Sequence, residues 1–344
     1  MKNDNLISVI IPVYNAMDTL AGTVASVLSQ DFDHLEVILV DDGSTDSSGM
    51  MCDEIAASDR RVRVLHKSNG GVSSARNAGI DAASGTYVMF MDADDFLNEG
   101  ALSSMYVDDV DFVVAGFEKV ADGKRQVFVP EISCLYDGKD RLCAFFDSLI
   151  KDDECYILNS PCFKLFRLDV IRENRLAFVE DLSYAEDKIF VMSFLLHANS
   201  VRTVAETVYR YVIRGGSLSS DMCSDAHIHQ VFLLLGEYTP LLSKLESRYP
   251  GSRMLRRLYH MDVVSRYVCR ILTSLAVRSS GMLNEENVSR LYAYMDADKD
   301  LGVFSVRTGQ IINILLYKLH NPSFTCAFYK FTASVCERFR TLVS

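Results

Sequence analysis

The chain has 344 residues, of which 49% are hydrophobic, and a formal net charge of −11 at pH 7. A chain of this length can bury a full hydrophobic core and is long enough for about two domains. Its nine cysteines include no Cys-x-x-Cys pair, which argues against a disulfide scaffold or a zinc ribbon and favours a reducing cytoplasm.

Four apolar stretches in the N-terminal part have the character of strands, and each ends in polar residues. They cover residues 7–14, 35–40, 62–66 and 87–91. Apolar residues at helical spacing, such as Leu20, Val24 and Val27, follow the first of them. This alternation predicts an α/β fold with a mostly parallel sheet covered by helices on both faces.

The fourth strand ends in three carboxylates, at Asp92, Asp94 and Asp95. Alternation along an extended chain projects Asp92 and Asp94 to the same side, where a hard divalent ion would meet oxygen ligands. Asp94 and Asp95 also fit a turn that caps the next helix. Ligands of open parallel sheets bind beyond the carboxyl ends of the strands, so we expect these acids to lie near Asn15 and Asp41.

Four segments occur in an order and spacing that resembles a family 2 glycosyltransferase with a GT-A fold, of the bacterial, non-processive kind. They are SVIIPVYN at 8–15, VDDGSTD at 40–46, GGVSSARNAG at 70–79 and DADD at 92–95. The match covers roughly residues 6–97, and a weaker match continues to about residue 220. The resemblance implies a nucleotide-sugar site at the carboxyl edge of the sheet.

Several residues receive nucleotide-sugar roles from the resemblance. Asp41 accepts a hydrogen bond from the uracil edge, Tyr14 offers an aromatic face to the base, and the backbone at Pro12 meets the base edge. Gly71 opens the helix that carries Arg76, whose planar guanidinium is expected to reach the base or the diphosphate. A rim aromatic and an exposed helix arginine are the alternatives for Tyr14 and Arg76.

The resemblance also assigns a metal ion and a base. Asp94 is the predicted ligand of Mn²⁺ or Mg²⁺, and Asp92 its partner toward the ribose and the metal. Asp187, beside Glu186 at the start of a helix-like run, is the predicted catalytic base, with Asp181 as the fallback. These acids also fit a helix N-terminus without a catalytic role.

An aspartate with an ordinary pKa of about 3.9 would be ionised at neutral pH, so we expect Asp187 to need no special tuning. If this base works in line with departing UDP, the family's reaction inverts the anomeric centre in one displacement.

Arg214 lies in a segment, at 209–219, that resembles the part of family members closing over the diphosphate. A solvated surface arginine is the alternative. Processive synthases of the superfamily carry a Gln-x-x-Arg-Trp motif, and this chain has no tryptophan. No run of about 20 apolar residues could span a membrane, so processive synthesis through a channel is not expected.

Charge divides the chain into two parts. Residues 225–344 carry 15 Lys and Arg against 10 Asp and Glu, a net charge of +5, which leaves −16 for residues 1–224. We predict a catalytic domain at 1–224 and a helical extension at 225–344. Its stretches 253–278 and 303–344 mix basic and large apolar residues, as in helices that contact anionic membranes. A packed helical bundle, an acceptor contact or a dimer surface fits equally.

The predicted function is an inverting, metal-dependent transfer of a sugar from a nucleotide-sugar, expected to be a UDP-sugar, to a hydroxyl of a saccharide or polyprenyl-linked saccharide in cell-surface polysaccharide biosynthesis. Such an enzyme would be cytoplasmic or peripheral at the inner face of the membrane, with no nucleic-acid partner. A catalytically silent nucleotide-sugar binder is the first alternative. A sugar-phosphate nucleotidyltransferase is the second, but its glycine-rich loop is absent near the first strand.

Overall fold

A computed structural model describes residues 6–149, 158–213, 225–258, 263, 284–296, 322 and 325. The chain forms two compact units, Met1–Ser217 and Leu218–Ser344. Arg214 and the predicted domain boundary at 224 lie outside the described residues.

The first unit is built on one sheet, which has ten strands in the described residues and the path β3-β2-β1-β4-β9-β6-β10-β5. Its first four strands are all parallel. They are β1 (Ile7–Val13), β2 (Leu35–Asp41), β3 (Val62–His66) and β4 (Tyr87–Phe90). β1, β2 and β4 are almost wholly buried, as expected for apolar strands in a parallel sheet with both faces covered.

Three helices connect these strands, namely α1 (Leu20–Leu28), α2 (Ser48–Ser58) and α3 (Gly71–Ala82). In α1 the buried side chains include Leu20, Val24 and Val27, the apolar positions that recur at helical spacing. α3 packs directly on β1 at Gly79, where any added Cβ would collide with the side chain of Ile10. This close approach brings the residues of α3 near the sheet.

Beyond β4 the chain adds strands whose pairings are mainly antiparallel. The elements in chain order are β5 (Phe96–Leu97), α4 (Ala101–Met105), β6 (Phe112–Ala121), β7 (Lys124–Phe128), β8 (Cys134–Asp137), α5 (Lys139–Ser148), β9 (Lys164–Arg167), α6 (Leu168–Glu173), α7 (Glu186–His197) and β10 (Ser200–Val212). β9 runs antiparallel to β4 and β6, whereas β10 runs parallel to β6. The α/β class is confirmed, with a parallel half and a mixed half.

An aromatic cluster fixes α7 against the sheet. The rings of Phe178 and Phe190 stack at a centroid distance of 4.0 Å, and Phe90 at the end of β4 meets both edge-on. Phe166 of β9 also packs on Phe90 and Phe190. Aromatic packing of this kind adds stability beyond the area it buries, and here it holds the first turn of α7 near the end of β4.

The second unit is helical in its described part, with α8 (Asp225–Arg248), α9 (Arg253–Leu258) and α10 (Glu285–Asp296). The guanidinium of Arg290 lies 4.6 Å from the ring centroid of Phe232. None of the described helices is both long and apolar enough to cross a membrane. Most of the basic stretches at 253–278 and 303–344 lie outside the described residues.

Candidate active site

The parallel half of the sheet brings the polar strand ends to one edge. Val13 lies opposite Asp41 in the register of β1 and β2. The N–H of Met91 donates to the carbonyl of Ile10 at 3.0 Å, which carries the β1–β4 pairing to the residue before Asp92. As expected for a parallel sheet, the residues that follow these strands share one edge.

The end of β1 is a tight turn that turns Tyr14 outward. Asn15 has a left-handed backbone, with φ of 50°, which asparagine tolerates better than most residues. Its Oδ1 accepts hydrogen bonds from the N–H groups of Thr45 and Asp46, at 2.8 and 3.3 Å. The Tyr14 ring is 51% exposed, and Pro12 is half-buried in β1. The ring is therefore accessible to a flat ligand.

Asp41, at the end of β2, is buried and accepts hydrogen bonds at both oxygens. Oδ1 accepts from the Ser44 N–H at 3.0 Å, and Oδ2 lies 2.9 Å from Nδ1 of His66. Burial acts to raise the pKa of Asp41, but the hydrogen bonds from Ser44 and His66 outweigh it and hold the pKa below its ordinary value. Asp41 is an ionised, fixed acceptor.

The glycine pair before α3 is anchored by Asp42, a residue to which sequence reasoning gave no role. Its carboxylate accepts from the N–H groups of Gly70 and Gly71, at 3.0 and 2.8 Å, and from Nζ of Lys67 at 2.6 Å. Gly71 has φ of 85°, a conformation that glycine adopts readily. The N–H of Gly71 is thus engaged within the protein, and the loop it opens is held to β2.

Arg76 connects the two halves of the predicted site. Its guanidinium is buried, and the two terminal nitrogens bind different carboxylates. Nη1 donates to Asp187 Oδ1 at 2.5 Å, and Nη2 donates to Asp92 Oδ1 at 3.1 Å. Burial acts to lower the pKa of Arg76, but Asp187 and Asp92 outweigh it and raise that pKa. In this structure the planar fork joins the predicted base to the predicted metal site.

The next residue in α3, Asn77, holds the loop that leads to α7. Its Oδ1 accepts from the Phe178 N–H at 2.8 Å, and its Nδ2 donates to the Phe178 carbonyl at 3.0 Å and to Glu180 Oε1 at 3.1 Å. Sequence reasoning did not single out Asn77, although it lies in the segment that carries the family resemblance. Arg76 and Asn77 together fix the approach to Asp187.

Glu186 and Asp187 begin α7 directly after Ala185, whose φ is 59°. A non-glycine residue in this region costs about 1–3 kcal/mol and marks a position that the surrounding structure enforces. Burial raises the pKa of Asp187 to about 7; Arg76 opposes the shift, whereas Glu186 and Asp92 add to it. Burial also raises the pKa of Glu186. The expectation that Asp187 needs no tuning is therefore wrong.

Behind Asp92, Tyr209 and Asp95 form a buried polar group. The Tyr209 hydroxyl donates to Asp95 Oδ2 at 2.7 Å and accepts from the Asp92 N–H at 3.2 Å. Asp95 Oδ1 accepts from the Val212 N–H at 2.9 Å. Burial raises the pKa of Asp95 to about 8, and the charge of Asp92 adds to the shift. Asp95 therefore holds the acidic loop to β10.

The donor set at Asp92 and Asp94 fits a divalent ion that is shared with a nucleotide. The Asp92 side chain is 40% exposed and Asp94 is half-buried, so both lie within reach of a ligand. Among the described residues, no group of three or more His, Cys, Asp or Glu side chains could hold a metal ion. Magnesium typically binds one or two carboxylates and takes its other ligands from water and substrate phosphates.

The segment at 162–164 contacts Asp92 and contains another left-handed backbone. Phe163 has φ of 51° and lies between Cys162 and Lys164. Cys162 Sγ is 3.9 Å from Asp92 Oδ2. Lys164 is fully buried, with Nζ 3.2 Å from the Cys162 carbonyl and 3.6 Å from the centroid of the Phe163 ring. Burial lowers the pKa of Lys164 well below its ordinary value.

The structure shows no contact between two further predicted residues, Asp181 and Arg214, and this cluster within the residues it describes. Asp181, the fallback base, is exposed in the loop before α7. Arg214 lies outside the described residues, so its predicted contact with the leaving group stays a prediction. Of the predicted site residues, the structure joins Arg76, Asp92 and Asp187 by direct hydrogen bonds.

A sheet of this topology, with acidic residues at the carboxyl edge of its parallel half, defines a GT-A type nucleotide-sugar transferase fold. Comparison with solved structures agrees. The crystal structure of Staphylococcus aureus TarS 1-349 in complex with UDP-GlcNAc superimposes with a TM-score of 0.64 at 20% identity, covering 98% of this chain and 92% of that one.

Residues 8–174 match the family model described as glycosyl transferase family 2. GlyG, a glycosyltransferase of Streptococcus pneumoniae, is 32% identical over 62% of this chain and 72% of its own length. EpsJ of Bacillus subtilis, an uncharacterised glycosyltransferase, is 32% identical over 62% of this chain, which spans 63% of EpsJ. The chain belongs to glycosyltransferase family 2.

Proposed function

We propose that this protein transfers a sugar from a UDP-sugar to a hydroxyl of a saccharide or polyprenyl-linked saccharide in cell-surface polysaccharide synthesis, with inversion at the anomeric carbon. The observation that carries the proposal is the contact of Arg76 with both Asp187 and Asp92. This contact joins the proposed base, Asp187, and the proposed metal ligand, Asp92, through one guanidinium, at the edge where parallel sheets typically bind ligands.

The proposed recognition of the donor begins at the exposed Tyr14 ring and ends at the acidic loop. The uracil ring lies on Tyr14, near the backbone of Pro12, and donates its N–H to the ionised carboxylate of Asp41. The diphosphate lies toward the Gly71 end of α3 and toward Asp92 and Asp94. A divalent ion bound there would neutralise the phosphate oxygens and stabilise the UDP leaving group.

In the proposed reaction, Asp187 takes the proton from the acceptor hydroxyl as that oxygen bonds to the anomeric carbon. The bond from this carbon to the diphosphate oxygen breaks, and UDP leaves with the electron pair. Arg76 holds one oxygen of Asp187 and so orients the carboxylate. A base of pKa near 7 combines a useful ionised fraction with good proton affinity, and the environment of Asp187 is suited to this role.

A relative supports the UDP-sugar donor in this proposal, and its name connects it with a cell-surface polymer. TarS of Staphylococcus aureus, whose structure holds UDP-GlcNAc, is named a poly(ribitol-phosphate) beta-N-acetylglucosaminyltransferase and is 28% identical over 66% of this chain and 39% of its own length. We propose the inner face of the membrane as the place of action. The basic stretches that motivate a membrane contact lie mostly outside the described residues.

The test is UDP release from a panel of UDP-sugars, with manganese or with a chelator, in wild type and in Asp187→Asn, with saccharide acceptors supplied. Metal-dependent release from one donor, lost in the variant, is the expected result. UDP binding without release from any donor would instead favour a catalytically silent binder. Release that persists unchanged in Asp187→Asn would move the base to another residue, first to Asp181.

A further inference from the structure

His66, the last residue of β3, lies between two carboxylates, and one of them is Asp41, the proposed acceptor of the uracil N–H. It lies directly opposite Asp41 in the register of β2 and β3. Its Nδ1 is 2.9 Å from Asp41 Oδ2, and its Nε2 is 3.1 Å from Asp53 Oδ1 on α2. The imidazole is 48% exposed and Asp53 is 66% exposed. The ring thus bridges a buried acid and a surface acid.

The two contacts can both be hydrogen bonds only when the ring carries a proton on each nitrogen. Ionised carboxylates accept but do not donate, and neutral imidazole has a single N–H. In the neutral form, one nitrogen must present its lone pair to a carboxylate oxygen. The geometry with one hydrogen bond from each ring nitrogen is therefore that of the imidazolium.

The carboxylate of Asp41 is confined on its other sides as well. Oδ1 accepts from the Ser44 N–H, and Gly49 in the first turn of α2 lies so close that an added Cβ would be 2.9 Å from Oδ2. Only glycine at position 49 leaves this space free. The orientation of the Asp41 carboxylate is thus set by His66, Ser44 and Gly49.

We propose that His66 is a positioning residue for uridine recognition, which holds Asp41 in place while protonated and makes the affinity for uridine nucleotides decline as it loses that proton. The inference rests on the proposed function, since it takes Asp41 as the acceptor of the uracil N–H.

The direction of the pH effect follows from the groups that face the ring. Hydrogen bonds to Asp41 and Asp53 raise the pKa of His66 above its ordinary value. The thiol of Cys52 on α2 contributes no charge, because burial raises its pKa to about 12. Lys67, the next residue, directs its ammonium to Asp42. Below the raised pKa of His66 both bonds are present and charge-assisted. Above it the ring loses its charge and one of the two bonds, so Asp41 keeps at most a neutral hydrogen bond from His66.

The test is the Kd for UDP, measured by calorimetry at fixed manganese from about pH 6 to about pH 9. Wild type is compared with His66→Gln, which keeps an amide donor but does not titrate, and with Asp53→Asn. The matched control is His34→Gln, an exposed histidine before β2 at the opposite edge of the sheet. Titration of the UDP phosphate is common to all four proteins and cancels in the comparison.

In wild type and in His34→Gln we expect affinity to fall by about tenfold as pH rises, the size of one lost charged hydrogen bond. His66→Gln should bind about tenfold more weakly than wild type at the low end and lack this fall. Asp53→Asn should move the midpoint of the fall to lower pH, because one of the two carboxylates that favour the imidazolium is gone. If His66 had only a structural role, Asp53→Asn would not shift the pH midpoint of UDP affinity.

The inference alone is overturned if His66→Gln keeps both the wild-type affinity and its pH dependence. If His66→Gln does not fold, Asp53→Asn is the deciding variant, because Asp53 is exposed and its replacement should not disturb folding. A pH midpoint of UDP affinity that does not move in Asp53→Asn would contradict the inference. Absence of UDP binding to wild type at every pH contradicts the proposed function as well.

Discussion

Two aspartates of the site, Asp41 and Asp187, have opposite electrostatic environments. Asp41 accepts from the Ser44 N–H at one oxygen and from His66 at the other, and its pKa lies below the ordinary value. Asp187 shares a single guanidinium with Asp92 and lies beside Glu186, and its pKa is raised to about 7. One carboxylate is surrounded by donors, whereas the other is crowded by acids.

The difference matches the two tasks we propose. A group that reads a base N–H must stay ionised and stationary, and hydrogen bonds to the charged form achieve both. A group that takes a proton during each turnover must bind and release it near neutral pH, which burial and like charge favour. Residue type is the same in both places, and the surroundings decide the chemistry.

Removal of the base should give the largest effect. Asp187→Asn keeps an oxygen that can accept from Arg76 but cannot take a proton, so we expect turnover to fall by about 10²–10⁴-fold with UDP affinity little changed. Single-turnover UDP release and calorimetry measure the two quantities. Asp181→Asn, an exposed acid of the same loop, is the matched control and should retain activity. The reverse pattern would assign the base to Asp181.

Loss of the metal ligand should act on binding itself. We expect Asp94→Ala to abolish the part of UDP affinity that depends on manganese, because one carboxylate ligand is gone and the phosphates lose their counter-charge. Calorimetric titrations with manganese and with chelator measure this part. Asp33→Ala, an exposed acid before β2, should leave it intact. Equal metal dependence in Asp94→Ala would place the ion elsewhere.

The pH profile of kcat/KM tests the raised pKa of Asp187. A base must be unprotonated, so activity should be full above about pH 7 and decline as pH falls through it. Arg76 lowers this pKa, and Arg76→Lys keeps the charge but loses the fork. In Arg76→Lys we expect the acid limb of the kcat/KM profile to move to higher pH, and kcat/KM at pH 7 to fall by about three- to tenfold.

The matched control for this shift is Arg63→Lys. Arg63 pairs with Glu36 at the start of β2, so this variant should leave the pH profile of kcat/KM unchanged. An acid limb near pH 4 in wild type would contradict the raised pKa.

The comparison also shows what the sequence could predict. The βα order was predictable because strand periodicity is local, and Asp92, Arg76 and Asp187 could be singled out because they resemble motif residues of a family. The contacts of Arg76 with the two aspartates were not predicted. His66 and Asn77 were missed, since their roles arise from contacts with residues 25 and 101 positions away. The raised pKa of Asp187 depends on burial that no local pattern encodes. The left-handed backbones at Phe163 and Ala185 lack the glycine that usually signals them.

The smallest predicted effect probes the fixed position of Asp41. Gly49→Ala places a methyl group 2.9 Å from Asp41 Oδ2, and the confined carboxylate must turn. We expect UDP affinity to fall by about three- to tenfold, whereas thermal stability changes little, because alanine favours a helix over glycine by about 1 kcal/mol and offsets the crowding. Calorimetry and a melting curve measure the two effects.

Gly236→Ala in α8 is the matched control, because nothing lies within 4 Å of the added Cβ. It should show the helical gain in stability without any change in UDP affinity. Wild-type affinity in Gly49→Ala would mean that the orientation of the Asp41 carboxylate does not limit base recognition. A higher Kd for UDP in Gly49→Ala, with the acid limb of its kcat/KM profile unmoved, would show that the two aspartates act independently. Asp41 would then act in binding and Asp187 in proton transfer.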